Sequence, residues 1–262
     1  MRHAEITKLL EKLLPIARLA GSAVMAVYAT EQFAATLKKD TSPLTQADLS
    51  AHQVLVHHLQ QLLPDCPVVS EESESSHAGR CQSRRFWLID PLDGTKEFIA
   101  GNGEFTVNIA LVEEGRSILG VVYAPAIDTL YWGGAGLGAW RCIGNVPIAI
   151  RVAEPADVSV CRVIASRSHL DVDTKVMIDR LGPVQLMQAG SSLKFCRIAE
   201  GEADMYPRLA PTCEWDTAAA QAVLEGAGGL VLDLQGRPLR YGKPEVFNPS
   251  FVAAGCMAWM PE

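Results

Sequence analysis

The stretch Trp87-Leu88-Ile89-Asp90-Pro91-Leu92-Asp93-Gly94-Thr95 constrains this chain more than any other. Phe86 to Ile89 is an apolar run of strand length, which predicts a buried strand delivering Asp90 at its end. Pro91 has no N–H for a ladder, so the strand is expected to stop there. Asp93 follows at a turn, and Gly94 and Thr95 open a short helix. Carboxylates three residues apart on a rigid corner can converge on a hard cation. The free N–H groups of Gly94 and Thr95 then face the anion that the cation carries. For an isolated D-x-x-D the plainer expectation is a tight turn, with Asp90 as a cap and Asp93 solvated. Here the pattern recurs. Val68-Val69-Ser70-Glu71-Glu72 is a short apolar strand ending in acids, and Glu214-Trp215-Asp216-Thr217 sets acids before the helical pattern Ala218 to Ala227.

The rest of the chain suits a large buried core. Its 262 residues are 48% apolar and 20% charged, a globular composition. A formal charge of −7 without any Lys/Arg block argues against nucleic-acid binding. An acidic chain can still take a phosphorylated ligand where a divalent metal supplies the positive charge. The seven cysteines (Cys66, Cys81, Cys142, Cys161, Cys196, Cys213, Cys256) are scattered, with no C-x-x-C. They suggest neither a disulfide framework nor a zinc ribbon, and most are expected to be small buried hydrophobes in a reducing compartment. His3, Glu5, Lys8, Glu11 and Lys12 break up any signal-peptide core. Leu13 to Thr30 is apolar but holds Pro15 and Arg18, so a buried helix is expected there rather than a spanning one. Peripheral membrane contact stays open.

Periodicity predicts helices over Ala4 to Leu14 and Pro15 to Thr30, with Leu9, Leu10, Leu13, Leu14, Leu19, Val24 and Val27 inward. A third helix runs from Asp48 to Leu63, with Leu55, Leu59, Leu62 and Leu63 on its apolar side. Ser73 to Arg85 is polar and reads as a mobile surface loop. Phe105, Val107, Ile109 and Leu111 alternate with Thr106 and Asn108, a strand signature. Strands follow at Ile118 to Ala124, Thr129 to Trp132 and Gly138 to Cys142, and Trp87, Trp132 and Trp140 fit strand cores. His57 and His58 fall on the exposed side of their helix. Beyond a boundary near Ala153 to Ser159, strands (Arg162 to Ala165, Val184 to Gln188, Ala203 to Arg208) alternate with helices (Asp171 to Leu181, Ser191 to Glu200, Asp216 to Ala227). A hairpin near Gly229 to Leu239 closes the pattern. The expected halves are an α+β unit over residues 1–155 and an α/β unit over 156–262.

Asp90-Pro91-Leu92-Asp93-Gly94-Thr95 with Trp215-Asp216 downstream resembles the inositol monophosphatase superfamily. Lys96-Glu97-Phe98-Ile99, Asn102-Gly103-Glu104-Phe105-Thr106-Val107-Asn108-Ile109-Ala110, Leu119-Gly120-Val121-Val122-Tyr123-Ala124-Pro125, Ser166-Arg167-Ser168-His169 and Gly190-Ser191-Ser192-Leu193-Lys194-Phe195-Cys196 are similar to its CysQ-type 3′(2′),5′-bisphosphate nucleotidase branch. The resemblance runs from about Lys38 to about Pro249, in family order. It implies an α+β and α/β layered sandwich (αβαβα) and a Mg2+-dependent phosphatase holding two or three ions. The implied ligands are Glu71, Asp90 and the Leu92 carbonyl for one ion, and Asp90, Asp93 and Asp216 for the second. Glu72 is the neighbouring acid and a swap with Glu71 stays open.

No G-x-S-x-G or His triad context is present, so the nucleophile is expected to be water activated at the metal. The resemblance makes Asp48 and Thr95 the residues that orient it, while Asp48 alone would read as a helix N-cap. The phosphate is expected over the N–H groups of Asp93, Gly94 and Thr95. Ser166, His169, Gly190, Ser191, Ser192, Lys194 and Arg208 match positions near the nucleotide, with Lys194 and Arg208 suited to the second phosphate. Their plain alternatives are a solvated Lys194, a surface ion pair for Arg208 and a strand-end cap for His169. The implied reaction removes the 3′-phosphate of adenosine 3′,5′-bisphosphate, giving AMP and phosphate and clearing a by-product of sulfate assimilation. Inhibition by lithium and calcium is implied with it. An inositol or sugar monophosphatase and a non-catalytic nucleotide sensor are the alternatives. The implied partner is a small-molecule nucleotide in the cytoplasm, with the inner membrane's cytoplasmic face as a site of peripheral contact. Oligomeric state is not legible.

Overall fold

A computed structural model of the chain describes residues 3–30, 36–37, 43–154 and 160–260. The first helix, α1 (His3–Tyr28), and α2 (Gln46–Leu62) flank a two-stranded ladder, β1 (Thr36–Leu37) with β2 (Pro43–Leu44). A seven-stranded sheet follows, made of β3 (Val68–Ser70), β4 (Arg85–Asp93), β5 (Thr106–Glu113), β6 (Arg116–Ala124), β7 (Thr129–Gly134), β8 (Gly138–Ile143) and β9 (Val146–Ile150) in that spatial order. Only β3 and β4 are parallel. Two short helices, α3 (Gly79–Gln82) and α4 (Thr95–Ile99), sit between its strands in sequence.

The second sheet has five strands, in the order β11 (Gln185–Ala189), β10 (Arg162–Ser166), β12 (Met205–Arg208), β14 (Phe251–Ala254), β13 (Leu230–Asp233). Its helices are α5 (Val172–Arg180), α6 (Leu193–Ala199) and α7 (Glu214–Gly226).

The layers follow from which side of each strand is apolar. Trp87, Ile89, Val107, Ile109 and Leu111 pack under α1 and α2 with Leu13, Val24, Leu55 and Leu59. Phe86, Leu88, Ala110 and Val112 face the other way, onto Phe195, Ala218, Val223 and Leu224 of α6 and α7, and through them onto Tyr206, Phe251 and Ala253 of the second sheet. Val163, Met205 and Val252 close the far side against Ile178 of α5. The result is the expected αβαβα sandwich. The sheets change between Ile150 and Arg162, and the expected boundary at 155/156 falls outside the described residues, as do Lys38 and Ser42.

α7 is wedged between the sheets by small residues. Ala218, Ala219, Ala220 and Ala222 are buried, and Gly120 of β6 lets the helix come so close that a Cβ there would lie 1.9 Å from the Ala219 carbonyl oxygen. Packing of backbone on backbone leaves no slack for a side chain.

Several local expectations are corrected. β4 does not stop at Pro91. Its pairing passes from Asp90 opposite Asn108 to Asp93 opposite Thr106, so one extra residue is accommodated in a bulge. A proline fits there because a bulged residue owes no ladder bond. α1 runs unbroken through Pro15, which is exposed, so its missing hydrogen bond falls on the wet side. Leu19 is 51% exposed, and Trp140 is 38% exposed, stacked on Trp132 at the surface. Cys66, Cys142 and Cys196 are buried, but Cys81 is exposed and Cys161, Cys213 and Cys256 are half-buried. Asp48 is the third residue of α2, not its N-cap. Thr45 is the cap and the two form a capping box. The expected hairpin at Gly229 to Leu239 reduces to a bridge between Leu232 and Pro238, because β13 pairs with β14, a strand the sequence pattern did not reveal.

Ser73 to Arg85 is not an open loop. It holds a 3-10 turn (Glu74–Ser76) and α3, and it buries Arg80 against Glu214 at 3.7 Å. Arg80 also donates to the carbonyls of His77 and of Pro244, the latter at 2.7 Å. Glu214 accepts from the backbone of Gly242 (2.9 Å) and Lys243 (3.0 Å) and from the Lys243 ammonium (2.5 Å). This buried cluster fixes the start of α7. Arg80→Met is expected to cost about 2–3 kcal/mol, because Glu214 stays buried with fewer donors. In a melt followed by circular dichroism that is a fall of roughly 5–10 °C, and an unchanged midpoint would refute it.

Candidate active site

Three carboxylates meet at the C-terminal ends of β3 and β4 and the start of α7. Glu71, Asp90 and Asp216 each present an oxygen within 4.8 Å of the others. Glu71, rather than Glu72, is the member that joins them. The Asp90 Oδ1 accepts the Leu92 N–H at 3.0 Å, an Asx turn that fixes the bulge. The Asp216 Oδ2 accepts the Cys213 N–H at 2.8 Å, so helix capping holds this carboxyl in place at the cluster.

Asp93 stands beside this group and is held just as firmly. Its Oδ2 takes hydrogen bonds from the Ser192 N–H (2.6 Å), the Ser192 hydroxyl (2.9 Å) and the Asn108 amide (3.3 Å). The same hydroxyl lies 2.9 Å from the Asp216 carbonyl, so its one hydrogen has an acceptor on either acid residue.

The electrostatics of these groups run against ionisation. Burial, then the charges of Asp93 and Glu71, pushes the Asp216 carboxyl well above the usual carboxylate range. Burial also raises Asp93, against the pull of Lys194 and of its Ser192 bonds. Crowded, hard oxygen donors that resist carrying their charge together suit a hard divalent cation, which relieves the repulsion it finds.

The cluster opens onto a pocket of about 250 Å³. Glu71, Leu92, Asp93, Gly94, Thr95 and Asp216 form one wall, and Ser166, His169, Ser191, Lys194 and Arg208 line the rest. Gly94 has φ 91°, a left-handed conformation that turns β4 into α4 and exposes successive N–H groups. α4 has only five residues, so the N–H groups themselves matter more here than a helix dipole. The Thr95 hydroxyl lies 3.4 Å from the Asp48 Oδ1 and 3.3 Å from the Leu92 carbonyl. The other Asp48 oxygen accepts from the Thr45 backbone (2.7 Å) and hydroxyl (2.6 Å).

The far wall is cationic. Lys194 is buried on α6, contrary to a solvated face, and donates to the Ser191 carbonyl at 2.5 Å. Arg208 is likewise buried rather than in a surface ion pair. Its guanidinium donates to the carbonyls of Ala210 (3.1 Å), His169 (3.3 Å) and Pro211 (3.1 Å). Burial, with Lys96, Arg208 and Lys194 nearby, lowers the His169 pKa. The neutral ring accepts from the Lys96 ammonium through Nε2 at 2.8 Å. Ser191 has φ 44°, and its buried hydroxyl has no hydrogen-bond partner. A strained residue with an unused donor is one a ligand can reward. Ser166 lines the pocket and accepts the His169 N–H at 3.1 Å. Gly190 and Ser192 stand behind the wall instead. Gly190 N–H goes to Glu104 at 2.9 Å, and Ser192 serves Asp93.

Sequence reasoning missed Asn108, which supports Asp93, and Glu97, a buried acid in the pocket wall. Asn108 was visible as the polar beat of an alternating strand and as a member of a branch motif, with no role attached. Glu97 was visible only as part of a branch motif.

Comparison with known proteins gives the family and the fold. The model of the inositol monophosphatase family matches residues 5–258. The 3′(2′),5′-bisphosphate nucleotidase CysQ of Escherichia coli (strain K12) is 48% identical over 247 residues, covering 93% of this chain and 98% of that protein. The corresponding CysQ of Buchnera aphidicola is 39% identical over 260 residues, with 96% and 93% covered. Among solved structures, CysQ from Bacteroides thetaiotaomicron superposes with a TM-score of 0.84 at 38% identity, covering 95% of this chain and 98% of that one. A Thermotoga maritima IMPase superposes at 0.77 with 26% identity, covering 94% and 91%.

Proposed function

The chain belongs to the inositol monophosphatase family, and from that premise we propose that it is a metal-dependent 3′(2′),5′-bisphosphate nucleotidase. Its substrate in this reading is adenosine 3′,5′-bisphosphate, cleaved to AMP and phosphate. The observation that carries the substrate choice is the pairing of a three-carboxylate cluster with a buried Lys194 and Arg208 across one pocket. A monophosphate leaves those cations unused, whereas a bisphosphate meets both walls.

Mg2+ is the proposed ion, two or three per chain, since oxygen-only donors and few carboxylates per ion suit it. Glu71, Asp90 and the Leu92 carbonyl would hold one ion, and Asp90, Asp93 and Asp216 a second. Bound there, the ions supply neutralisation of the phosphoryl oxygens and a lowered pKa for water. The chain's own residues do the rest. The N–H groups of Gly94 and Thr95 receive the phosphoryl oxygens. The Thr95 hydroxyl, hydrogen-bonded to Asp48, orients the attacking water and gives its proton a path to a carboxylate. Thr45 keeps Asp48 in place, so this relay is set before substrate arrives.

The test is phosphate release in the presence of magnesium, comparing adenosine 3′,5′-bisphosphate with inositol 1-phosphate. A strong preference for the nucleotide is expected. Preference for the inositol ester would keep the metal site and overturn the substrate. Binding of the nucleotide without release would leave a sensor rather than an enzyme.

A further inference from the structure

Four acids line the pocket: Glu71, Asp93, Glu97 and Asp216. Three belong to the metal-binding set, and Glu97 does not. It lies in the first turn of α4, only 2% exposed, and its Oε1 is sealed from solvent with no hydrogen-bond donor. A buried carboxylate oxygen without a donor is costly and calls for an explanation.

Its surroundings supply one. A Cβ on Gly190 would lie 2.6 Å from the Glu97 Cγ, so the stem is packed under the Gly190–Ser191 turn. The Glu97 Oε2 and the Ser191 Cβ lie 3.4 Å and 3.2 Å from the point a Gly94 Cβ would occupy. Across that turn, the Ser191 carbonyl accepts from Lys194, which is 5% exposed and has the Tyr206 ring 5.2 Å from its Nζ. An ammonium has three hydrogens, so this single acceptor leaves capacity for a ligand. A carboxylate oxygen without a donor and an under-bonded cation therefore flank one turn.

The other charges near them are committed. Asp93 and Asp216 face Lys194 from β4 and α7 but belong to the metal set. Arg208 on β12 and His169 after β10 press on it with like or neutral groups. Glu104 also reaches Lys194, and Arg167 also reaches Glu97, but these two form a two-point ion pair at 2.7 and 2.8 Å. That leaves Glu97 as the uncommitted negative group.

On the nucleotidase reading, we propose that Glu97 is a positioning residue for the substrate's second, non-reacting phosphate: its buried carboxylate is the fixed counter-charge that keeps Lys194 an ammonium aimed at that phosphate. The tendency it opposes is plain, since burial drives the Lys194 pKa down to about 8. Oε1 is sealed, so only Oε2 could meet a substrate group directly, and the substrate series below separates that contact from action through Lys194.

The test is Glu97→Gln, which keeps the volume beneath Gly190. With the magnesium-loaded enzyme, KM for adenosine 3′,5′-bisphosphate is expected to rise about three- to tenfold, up to the equivalent of one pKa unit. The change in kcat stays within about twofold, far below the loss from a missing transition-state contact. The KM rise is absent for adenosine 3′-monophosphate, which lacks the second phosphate. The basic limb of kcat/KM for the bisphosphate moves to lower pH. Calorimetry gives an independent readout: AMP binding weakens by the same factor and adenosine binding does not. Equal effects on both substrates with a lowered melting point would make Glu97 structural and overturn the proposal. An effect on both that vanishes for 2′-deoxyadenosine 3′-monophosphate would reassign it to a hydroxyl contact, and no effect would also refute it. A wild type that ignores the bisphosphate would sink the nucleotidase reading instead, while the AMP and adenosine titrations still decide Glu97.

Discussion

Replacing Asp216 by Asn is expected to cut turnover by about a thousandfold or more while making the metal-free protein melt at a higher temperature. The two effects share one cause. The Asn side-chain oxygen can keep the hydrogen bond from the Cys213 N–H, so the start of α7 stays capped. The second oxygen becomes an NH2 group, which cannot bind a cation. In the wild type, burial and the charges of Asp93 and Glu71 hold the Asp216 pKa well above 3.8. An acid whose folded pKa is raised contributes stability that is full below its unfolded pKa and is lost as pH rises through the folded value. At neutral pH, above the unfolded pKa, the metal-free wild type therefore carries a penalty that the variant does not.

Melts in EDTA should show the wild type losing stability from acidic to neutral pH more steeply than Asp216→Asn. Added magnesium should raise the wild-type midpoint and leave the variant nearly still. A difference of 1 kcal/mol is readable, since it moves the midpoint by roughly 2–4 °C in a chain of this size. Equal magnesium responses, or a turnover loss below about tenfold, would show that Asp216 is no ligand.

Gly120→Ala is expected to cost about 4 kcal/mol or more, an exceptional figure for a single methyl group. The new Cβ would sit 1.9 Å from the Ala219 carbonyl oxygen, 2.7 Å from its carbonyl carbon and 3.0 Å from its Cα. None of these atoms belongs to a side chain that can turn away. Either β6 or α7 must shift, and α7 carries Asp216 three residues from the clash. The variant should give little folded protein, and whatever folds should have weakened magnesium stabilisation. A well-folded variant with wild-type metal response would mean that the sheet and helix can separate freely. As a comparison, Gly136→Ala meets nothing within 4 Å, so it carries only the strain of φ 80°.

Much of this was legible in the sequence because its signals are local. The apolar run into Asp90 and the helical spacing from Leu9 to Leu13 and from Leu55 to Leu59 are short-range patterns that burial enforces. The five-layer arrangement came from family resemblance, since no local pattern says which helix covers which sheet. β9 escaped because Val146-Pro147-Ile148 carries a proline, which an edge strand tolerates and a sequence pattern penalises. β14 escaped because four residues after a long irregular stretch give no periodicity. The acids of the site could be named from their motifs, but their support could not. Asn108 reaches Asp93, and Ser192 reaches both Asp93 and Asp216, only through tertiary contact. Lys194 and Arg208 carried the opposite difficulty. Charged residues are rarely buried, so nothing in a single chain announces two that are.

The wedge of α7 between the sheets bears on how such a protein can change. Its alanines touch backbone on one side and aromatic core on the other, so almost no substitution along it is neutral. The metal chemistry is thereby frozen into the least variable part of the architecture. On the proposed reading, substrate choice is carried elsewhere, on α4, on β12 and on the turns at Ser166–His169 and Gly190–Ser191. The two turns can be rewritten without reopening the sandwich, whereas β12 is the buried middle strand of its sheet. Divergence toward new phosphate esters has an easy path, and divergence away from phosphate-ester chemistry has a steep one.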